Sequence, residues 1–567
     1  MKPVRVLGRW LGALAWIAAL LPAFALIPAS FLDRGPIGPI RFTLFPAALA
    51  ALDPHLWECA RNSLLMAAAV TFASRFMGVT LARIVARNRF WGRPLLATLA
   101  CAGLAVPPAF AALGLRAFFR SDPLLDWAGW FWAALVSSVP VVALSASWGL
   151  SRVDSVAEDA ARLEGASRRK VWRHFVWPNV RPGVAKSLAG VFTMTLIEPG
   201  APLVLGLRRT LGFQIVEAAT DPSLGQLNRA AVLALGATLM AGLVRVLLGW
   251  WGGPEAPALS ERKSGGVSRN ERTGLFAGIG FFLILFMASL LVCLPLGGLI
   301  TATVPSAVEP WHSKAGAAFA TFGSMVRDPL SQRYLENSLA MALGVLLVGA
   351  ILSWAIVAWT SERPGHSASP SARLEGVVRL FPPLAIGVGA LVLPGIGRMS
   401  CDTLDAATGR VVFAPLLRSV VDVLDSDRTP GIAMTLAISL TALPLLSRSA
   451  LDRRAGLPPS RVEAALNVGA GPRQARRGLR RSIIGVAPSA AFLAFAMAFS
   501  NVSPALVFAT TSATRTAGPA VLTLIDEPGS GFSQAAALAV FSVGLNLLAM
   551  AIAARKRSGV SRVRLGT

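Results

Sequence analysis

Few residues of this chain are placed to do covalent chemistry. The four cysteines (Cys59, Cys101, Cys293, Cys401) and four histidines (His55, His174, His312, His366) lie far apart and match no metal-ligand spacing. No G-x-x-x-x-G-K-[ST] loop is present to cradle a nucleotide, and paired carboxylates or an activated nucleophile are missing. The chain is therefore read as a non-enzyme without a cofactor or metal of its own. Two other features stand out: a pair of acid-Ala-Ala-x-x-x-Gly stretches, and two charged residues inside long apolar runs.

The first stretch reads Glu158-Asp159-Ala160-Ala161-Arg162-Leu163-Glu164-Gly165, followed by Phe175-Val176-Trp177-Pro178; the second reads Glu463-Ala464-Ala465-Leu466-Asn467-Val468-Gly469. Each predicts a short helix. Acidic residues at the start suit the positive end of the helix dipole, and alanines favour helix and let another surface approach closely. A glycine stands where the chain must leave the helix, because glycine accepts the left-handed conformation cheaply. Basic residues cluster next: Arg168, Arg169, Lys170 and Arg173 in one, Arg473, Arg476, Arg477, Arg480 and Arg481 in the other. Such a helix is shaped to be gripped by a partner.

The elements that carry these stretches are membrane spans. Of 567 residues 54% are hydrophobic and only 15% charged, with a mean hydropathy of +0.60, well off the composition of a soluble domain. Runs such as 10–31, 184–206 and 274–300 hold at most one or two charges over about 20 residues, the length that crosses the hydrocarbon of a bilayer. The expected spans are 10–31, 62–83, 94–115, 128–150, 184–206 and 228–251, then 274–300, 336–359, 377–399, 430–449, 485–509 and 534–554. The fold class is an all-α membrane protein of about twelve transmembrane helices.

The net charge of +25 follows from that class. Lys and Arg accumulate in cytoplasmic loops and set topology, whereas nucleic-acid binding would need an aromatic stacking surface among the basic residues. Nucleic acid is excluded as a partner, and the lipid bilayer is the environment. The N-terminus, the Arg83–Arg93 loop, the segments 151–183, 252–273 and 450–484, and the C-terminal tail are all basic. Both termini are therefore expected in the cytoplasm. The facing loop after Met399 carries Asp402, Asp405, Asp422, Asp425 and Asp427. The first apolar run is too long for a signal-peptide core and is read as a retained helix.

The chain also repeats. Asn62-Ser63-Leu64-Leu65-Met66 opens the second span and Asn337-Ser338-Leu339-Ala340-Met341 the eighth, and in each half the acid-Ala-Ala loop follows a fourth span. The organisation expected is a first unit over 1–251, a polar linker at 252–273 and a second unit over 274–567. Both units start on the same side, so the two six-helix units form a parallel repeat about an axis along the membrane normal.

Arg75 in the second span and Glu198 in the fifth are costly inside a membrane and are functional candidates by default. Either the two pair in the bundle interior, or each is satisfied separately by carbonyls, water or snorkelling. Pro199 and Pro202 should distort the fifth helix and expose carbonyls beside Glu198. That makes this helix the candidate pore liner, answered loosely in the second half by Asn501-Val502-Ser503-Pro504.

The two loops resemble the signature of the inner-membrane permeases of binding-protein-dependent ABC importers: E-A-A, three residues, G, nine residues, I-x-L-P. The first copy matches as Asp159-Ala160-Ala161, Gly165 and Pro178, with conservative departures at Asp159, Phe175 and Trp177; the second matches at Glu463, Ala464, Ala465 and Gly469, but it reads Leu479-Arg480-Arg481-Ser482 where the proline should fall. Two units in one chain resemble the fused branch that includes ferric-iron and thiamine permeases. The resemblance implies a coupling helix in each unit, two cytoplasmic ATP-binding-cassette ATPase subunits docked on them, and a periplasmic solute-binding protein. It implies a bacterial inner-membrane location and a substrate that is ferric iron first, then thiamine or another small solute such as a polyamine or phosphonate. The rival class is a self-contained secondary transporter, which needs midplane ionisable residues and no coupling helices.

Overall fold

The computed structural model describes residues 20–32, 41–88, 93–118, 123–151, 155–223, 225–253, 275–305, 311–360, 377–408, 430–455, 467–469, 488–509 and 511–562, with positions 16, 17, 153 and 422. These residues form helices joined by turns, and the only strand pairing among them is an isolated bridge, Leu32–Phe42. Eight helices are long and apolar enough to cross a membrane. A bent pair and three shorter apolar helices (Leu20–Phe31, Gly431–Ser447, Ala490–Phe499) complete the set. Each of the twelve expected spans contains one of these elements, so the chain is an all-α, multi-pass membrane protein.

Three expected spans differ in shape. The second runs from Pro54 to Arg87, 34 residues, about 50 Å at 1.5 Å per residue and well beyond the hydrocarbon thickness, so its ends project. The third is not one rod. Leu95–Ala105 and Pro108–Phe118 meet at 103°, where Pro107 and Pro108 remove two backbone donors in succession. The fifth stops at Leu196 and reopens over Gly200–Val204, the break that the prolines predicted. Besides the helices of the first loop, Phe45–Leu52, Leu211–Thr220, Trp311–Arg327 and Ala517–Leu524 lie outside every expected span.

The duplication is written into helix ends. Asp53 caps Pro54–Arg87, accepting from the His55 amide at 2.9 Å. Asp328 does the same for Pro329–Thr360, accepting from the Leu330 and Ser331 amides at 3.3 and 2.9 Å. An aspartate cap followed by proline in the first turn starts a helix well, because proline lacks the hydrogen that would go unpaired there. The same Asp-Pro pair precedes Asn62-Ser63 and Asn337-Ser338 at the same spacing.

The halves interlock. A side chain at Gly114, in the third span, would collide with the Pro295 carbonyl of the seventh; one at Gly389, in the ninth, would collide with the Pro22 carbonyl of the first. Each half's first helix therefore packs against the other half's third span, with glycine allowing backbone contact as in other membrane helix pairs. Both apolar clusters mix the halves: Phe110, Trp130 and Val184 share one with Leu299, Val521 and Leu538, and Leu26, Ile215 and Ala234 share the other with Leu384, Met434 and Phe508.

Candidate functional site: two terminal turns and two broken helices

The first acid-Ala-Ala stretch is a helix, Ser155–Leu163. Its end is a Schellman turn: the Ala166 amide reaches the Ala161 carbonyl and the Gly165 amide the Arg162 carbonyl, both at 3.0 Å, with Gly165 at φ +87°. That geometry satisfies carbonyls that would otherwise be orphaned, and only glycine enters it without cost. Asp159 and Ala160 are exposed, Ala161 is buried, and Leu163 is 90% exposed at the last turn.

Glu158 is the residue that holds this helix in place. Both its oxygens accept from Arg87, at 2.8 and 2.5 Å, and the pair is nearly shut off from solvent. Arg87 closes the long second span, so the ion pair joins the loop helix to a membrane helix. Sequence reasoning took Asp159 as the motif acid and left Glu158 outside the site. The signal available was the doubled acid, Glu158-Asp159, of which one member could face inward.

Beyond Gly165, Ser167 caps a short turn of helix (Lys170 amide to Ser167 Oγ, 3.4 Å), and residues Trp172–Val176 adopt a π-helical turn. Pro178 then sits in the first turn of Trp177–Leu196, where proline is tolerated. Trp172 packs beneath Arg83 and Arg87, 4.6 and 5.9 Å from ring centre to guanidinium carbon, a favourable cation–π arrangement.

Of the second stretch, Glu463, Ala464 and Ala465 lie outside the described residues. Asn467, Val468 and Gly469 are described: Gly469 has φ +85°, Val468 is 88% exposed, and the helix-then-turn pattern matches Leu163-Glu164-Gly165. The residues 470–487 that differ from the family signature also lie outside the described residues.

In the membrane, Arg75 and Glu198 do not pair. Arg75 lies against the rings of Phe76, Trp177 and Trp251, at 5.5, 5.9 and 4.9 Å. Glu198 accepts the Gly200 and Ala201 amides at 2.8 and 3.0 Å. The reason is the helix break itself: Gly200–Val204 opens with amides that lack a partner in the preceding turn, and the carboxylate just before it supplies the acceptor. Its other end is closed by Arg116, which donates to the Val204 carbonyl at 2.6 Å. An acid at the start and a base at the end oppose the helix dipole correctly. Arg116 went unnoticed in the sequence because it falls just past the expected third span.

Pro199 stands immediately before the reopened helix. Val502 occupies the matching place before Ser503–Phe508; Asn501, one residue earlier, takes the place of Glu198, and its side-chain oxygen is buried without a donor among the described residues. The matched environments extend further. Gly212 abuts the Glu198 carbonyl and Gly518 the Asn501 carbonyl, where a β-carbon would collide. The two breaks also meet: a β-carbon at Gly200 would lie 3.0 Å from Val502.

The Asn-Ser pairs supply the frame. Ser63 Oγ accepts the Leu211 amide at 2.9 Å and Ser338 Oγ accepts the Ala517 amide at 2.7 Å. Asn62 donates to the Arg209 carbonyl (3.2 Å), and Asn337 to the Ala513 and Arg515 carbonyls (both 2.9 Å). In each half the second span thus fastens the short helix that follows the break. Among the described residues no group of three or more His, Cys, Asp or Glu side chains could hold a metal ion.

Comparison with known proteins places this arrangement. Residues 78–252, from the second span through the sixth and including the first loop helix, match the family described as binding-protein-dependent transport system inner membrane component. The chain is 29% identical over 153 residues to the molybdate/tungstate transport system permease protein WtpB of Thermococcus kodakarensis, covering 27% of this chain and 62% of that one. It is 24% identical over 385 residues to the thiamine transport system permease protein ThiP of Brucella abortus, covering 61% and 64%. With the sulfate transport system permease protein CysT of Salmonella typhimurium it shares 28% over 166 residues, 27% and 60%. The chain thus spans less than two thirds of the length of these curated relatives. Through residues 78–252 the chain is similar to the binding-protein-dependent transport system inner membrane components.

Proposed function

We propose that the chain is the transmembrane permease of an ABC importer, with both permease units in one polypeptide. The observation that carries this reading is the pairing, in each half, of a broken fifth helix with a glycine-terminated turn that presents an exposed aliphatic residue. Leu163 and Val468 are the projecting side chains, and the Arg87–Glu158 ion pair is the rigid link by which a push on the first loop reaches the second span. In this reading the units are 1–251 and 274–567, joined by the linker 252–273. The coupling residues are Asp159, Ala160, Ala161, Gly165 and Pro178 in one loop and Glu463, Ala464, Ala465 and Gly469 in the other. Each loop seats in one ATPase subunit, so one chain takes two, and ATP hydrolysis occurs on those partners.

The solute passes between the two helix breaks, where Glu198, Pro199 and Asn501 lie. Arg75, turned onto aromatic rings, is the weakest of the candidate pore residues. A binding protein delivers the solute on the side opposite the basic loops, which places both termini in the cytoplasm and the chain in a bacterial inner membrane. For the solute we infer thiamine as the first ligand to test, because the relatives aligned along most of this chain carry that name. Ferric iron, the expectation from fused architecture, comes next, followed by molybdate, tungstate and sulfate from the relatives aligned over 27% of this chain.

Co-expression with the ATPase and binding protein encoded beside it, followed by reconstitution, tests the reading. Uptake of one of these solutes should require ATP and both partners. Uptake by the isolated chain would replace it with a self-contained secondary transporter.

A further inference from the structure

Beside the first loop lies an open groove of about 450 Å³. It is lined by Arg75, Phe76, Arg169, Trp172, Arg173 and Trp177. Three guanidinium groups face it and no carboxylate does, among the described residues. Arg169 and Arg173 are exposed, on the loop just before the fifth span. Arg75 lies about three turns before the Arg87 end of the second span, held over the Trp177 and Trp251 rings.

The groove's depth is marked by its own residues. Trp177, Trp251 and the 77%-exposed Trp250 form a tryptophan band at this level, the composition found where hydrocarbon gives way to headgroups. Toward the membrane interior the same helix face continues as Phe72 and Phe76, both exposed and in edge-to-face contact at 4.7 Å. One end of the groove is therefore cationic and wet, the other apolar and lipid-facing. That polarity matches a phospholipid standing in the leaflet on the side of the basic loops.

The fold does not require the charge. At the same distance beyond Asn337-Ser338 in the second half stands Ala350 where the first has Arg75. An arginine in an apolar span is costly unless something compensates it. Aromatic faces supply part of that compensation, and an anionic headgroup would supply the rest.

We propose that this groove binds one anionic phospholipid, its phosphate against Arg169 and Arg173, its glycerol region beside Arg75, and an acyl chain along Phe76 and Phe72. The lipid would brace the first loop against the second span.

Native mass spectrometry of the purified full chain tests this, with dioleoyl-phosphatidylglycerol and dioleoyl-phosphatidylcholine added in equal amounts. The wild type should retain one phosphatidylglycerol in preference, and Arg75→Gln/Arg169→Gln/Arg173→Gln should lose that preference by roughly a hundredfold, a few-fold for each surface cation. Arg169→Lys/Arg173→Lys, which keeps the charges, should retain most of it, and a sharp gel-filtration peak for every variant secures the fold. Equal retention of the two lipids by the wild type overturns the proposal, as does unchanged preference in the glutamine variant. Displacement of the lipid by inorganic phosphate alone would also overturn it, since the site would then recognise a free oxyanion.

Discussion

Arg87 grips Glu158 through both terminal guanidinium nitrogens, at 2.8 and 2.5 Å, with the two side chains only 15% and 4% exposed. The last residue of a membrane span is thereby tied to the first turn of the loop helix. Removing one partner of a buried pair strands the other, which typically costs about 3 kcal/mol or more. Glu158→Ala and Arg87→Ala should each lower the unfolding midpoint and weaken ATPase stimulation by solute. Replacing the pair by Arg87→Met/Glu158→Leu should recover stability, because no charge is left alone. A double variant no more stable than the singles would rule out this account of the link.

Gly165 and Gly469 share the left-handed conformation and open surroundings, so Ala at either strains the backbone alike, by about 1–2 kcal/mol. Any difference in function must come from what docks on them. The first loop keeps its proline, so Gly165→Ala should reduce coupled transport more than Gly469→Ala, at equal loss of local helix stability. Equal transport defects would show the two contacts to be equivalent.

Ser63 and Ser338 are fully buried and each accepts one amide from the short helix beyond the break. Each Ser→Ala change leaves that amide unpaired, a loss of about 1–3 kcal/mol. The sites share no partner, so the double variant should show close to the sum in denaturant unfolding. A double variant no worse than either single would mean that the halves do not hold their breaks independently.

Glu198 serves two amides of a helix embedded in the membrane. Glu198→Gln keeps one good acceptor and should retain a fraction of the transport rate. Glu198→Ala strands both amides and should reduce flux at least tenfold, a barrier change of about 1.4 kcal/mol. If Ala and Gln behave alike, the carboxylate matters for its charge and not for capping the break.

Asp328, outside the spans, sits in opposed influences. Burial pushes its carboxyl up, but hydrogen bonds from the Ser331 hydroxyl and amide and the Leu330 amide pull it below the usual aspartate value. The folded value is the lower one, so the stabilisation is complete above the ordinary aspartate range, near 3.9, and disappears as pH falls through the folded value. Unfolding of wild type and Asp328→Asn should therefore differ most near neutrality and converge in acid. A constant gap down to the lowest pH would exclude the carboxylate as its source.

By itself the sequence determined the class and the punctuation of this protein. Twelve apolar runs of about the right length admit only membrane helices, because nothing else satisfies the backbone in hydrocarbon. Pro199 and Pro202 foretold the broken fifth helix, and Gly165 and Gly469 foretold left-handed exits, since both are local backbone constraints. Pairings across the chain were decided only by tertiary structure. Arg75 and Glu198, both charged and inside the membrane, could pair or be satisfied separately, and tertiary structure decided: one was claimed by aromatic rings and the other by two amides two and three residues away. Glu158 and Arg87, 71 positions apart, and Ser63 and Leu211, 148 apart, carry no local signal of their contact. Periodicity and proline report what a residue does to its own helix. Which distant group satisfies a buried donor or acceptor depends on how the helices pack, and that was settled by glycine contacts such as Gly114 on Pro295, through which the two halves interlock.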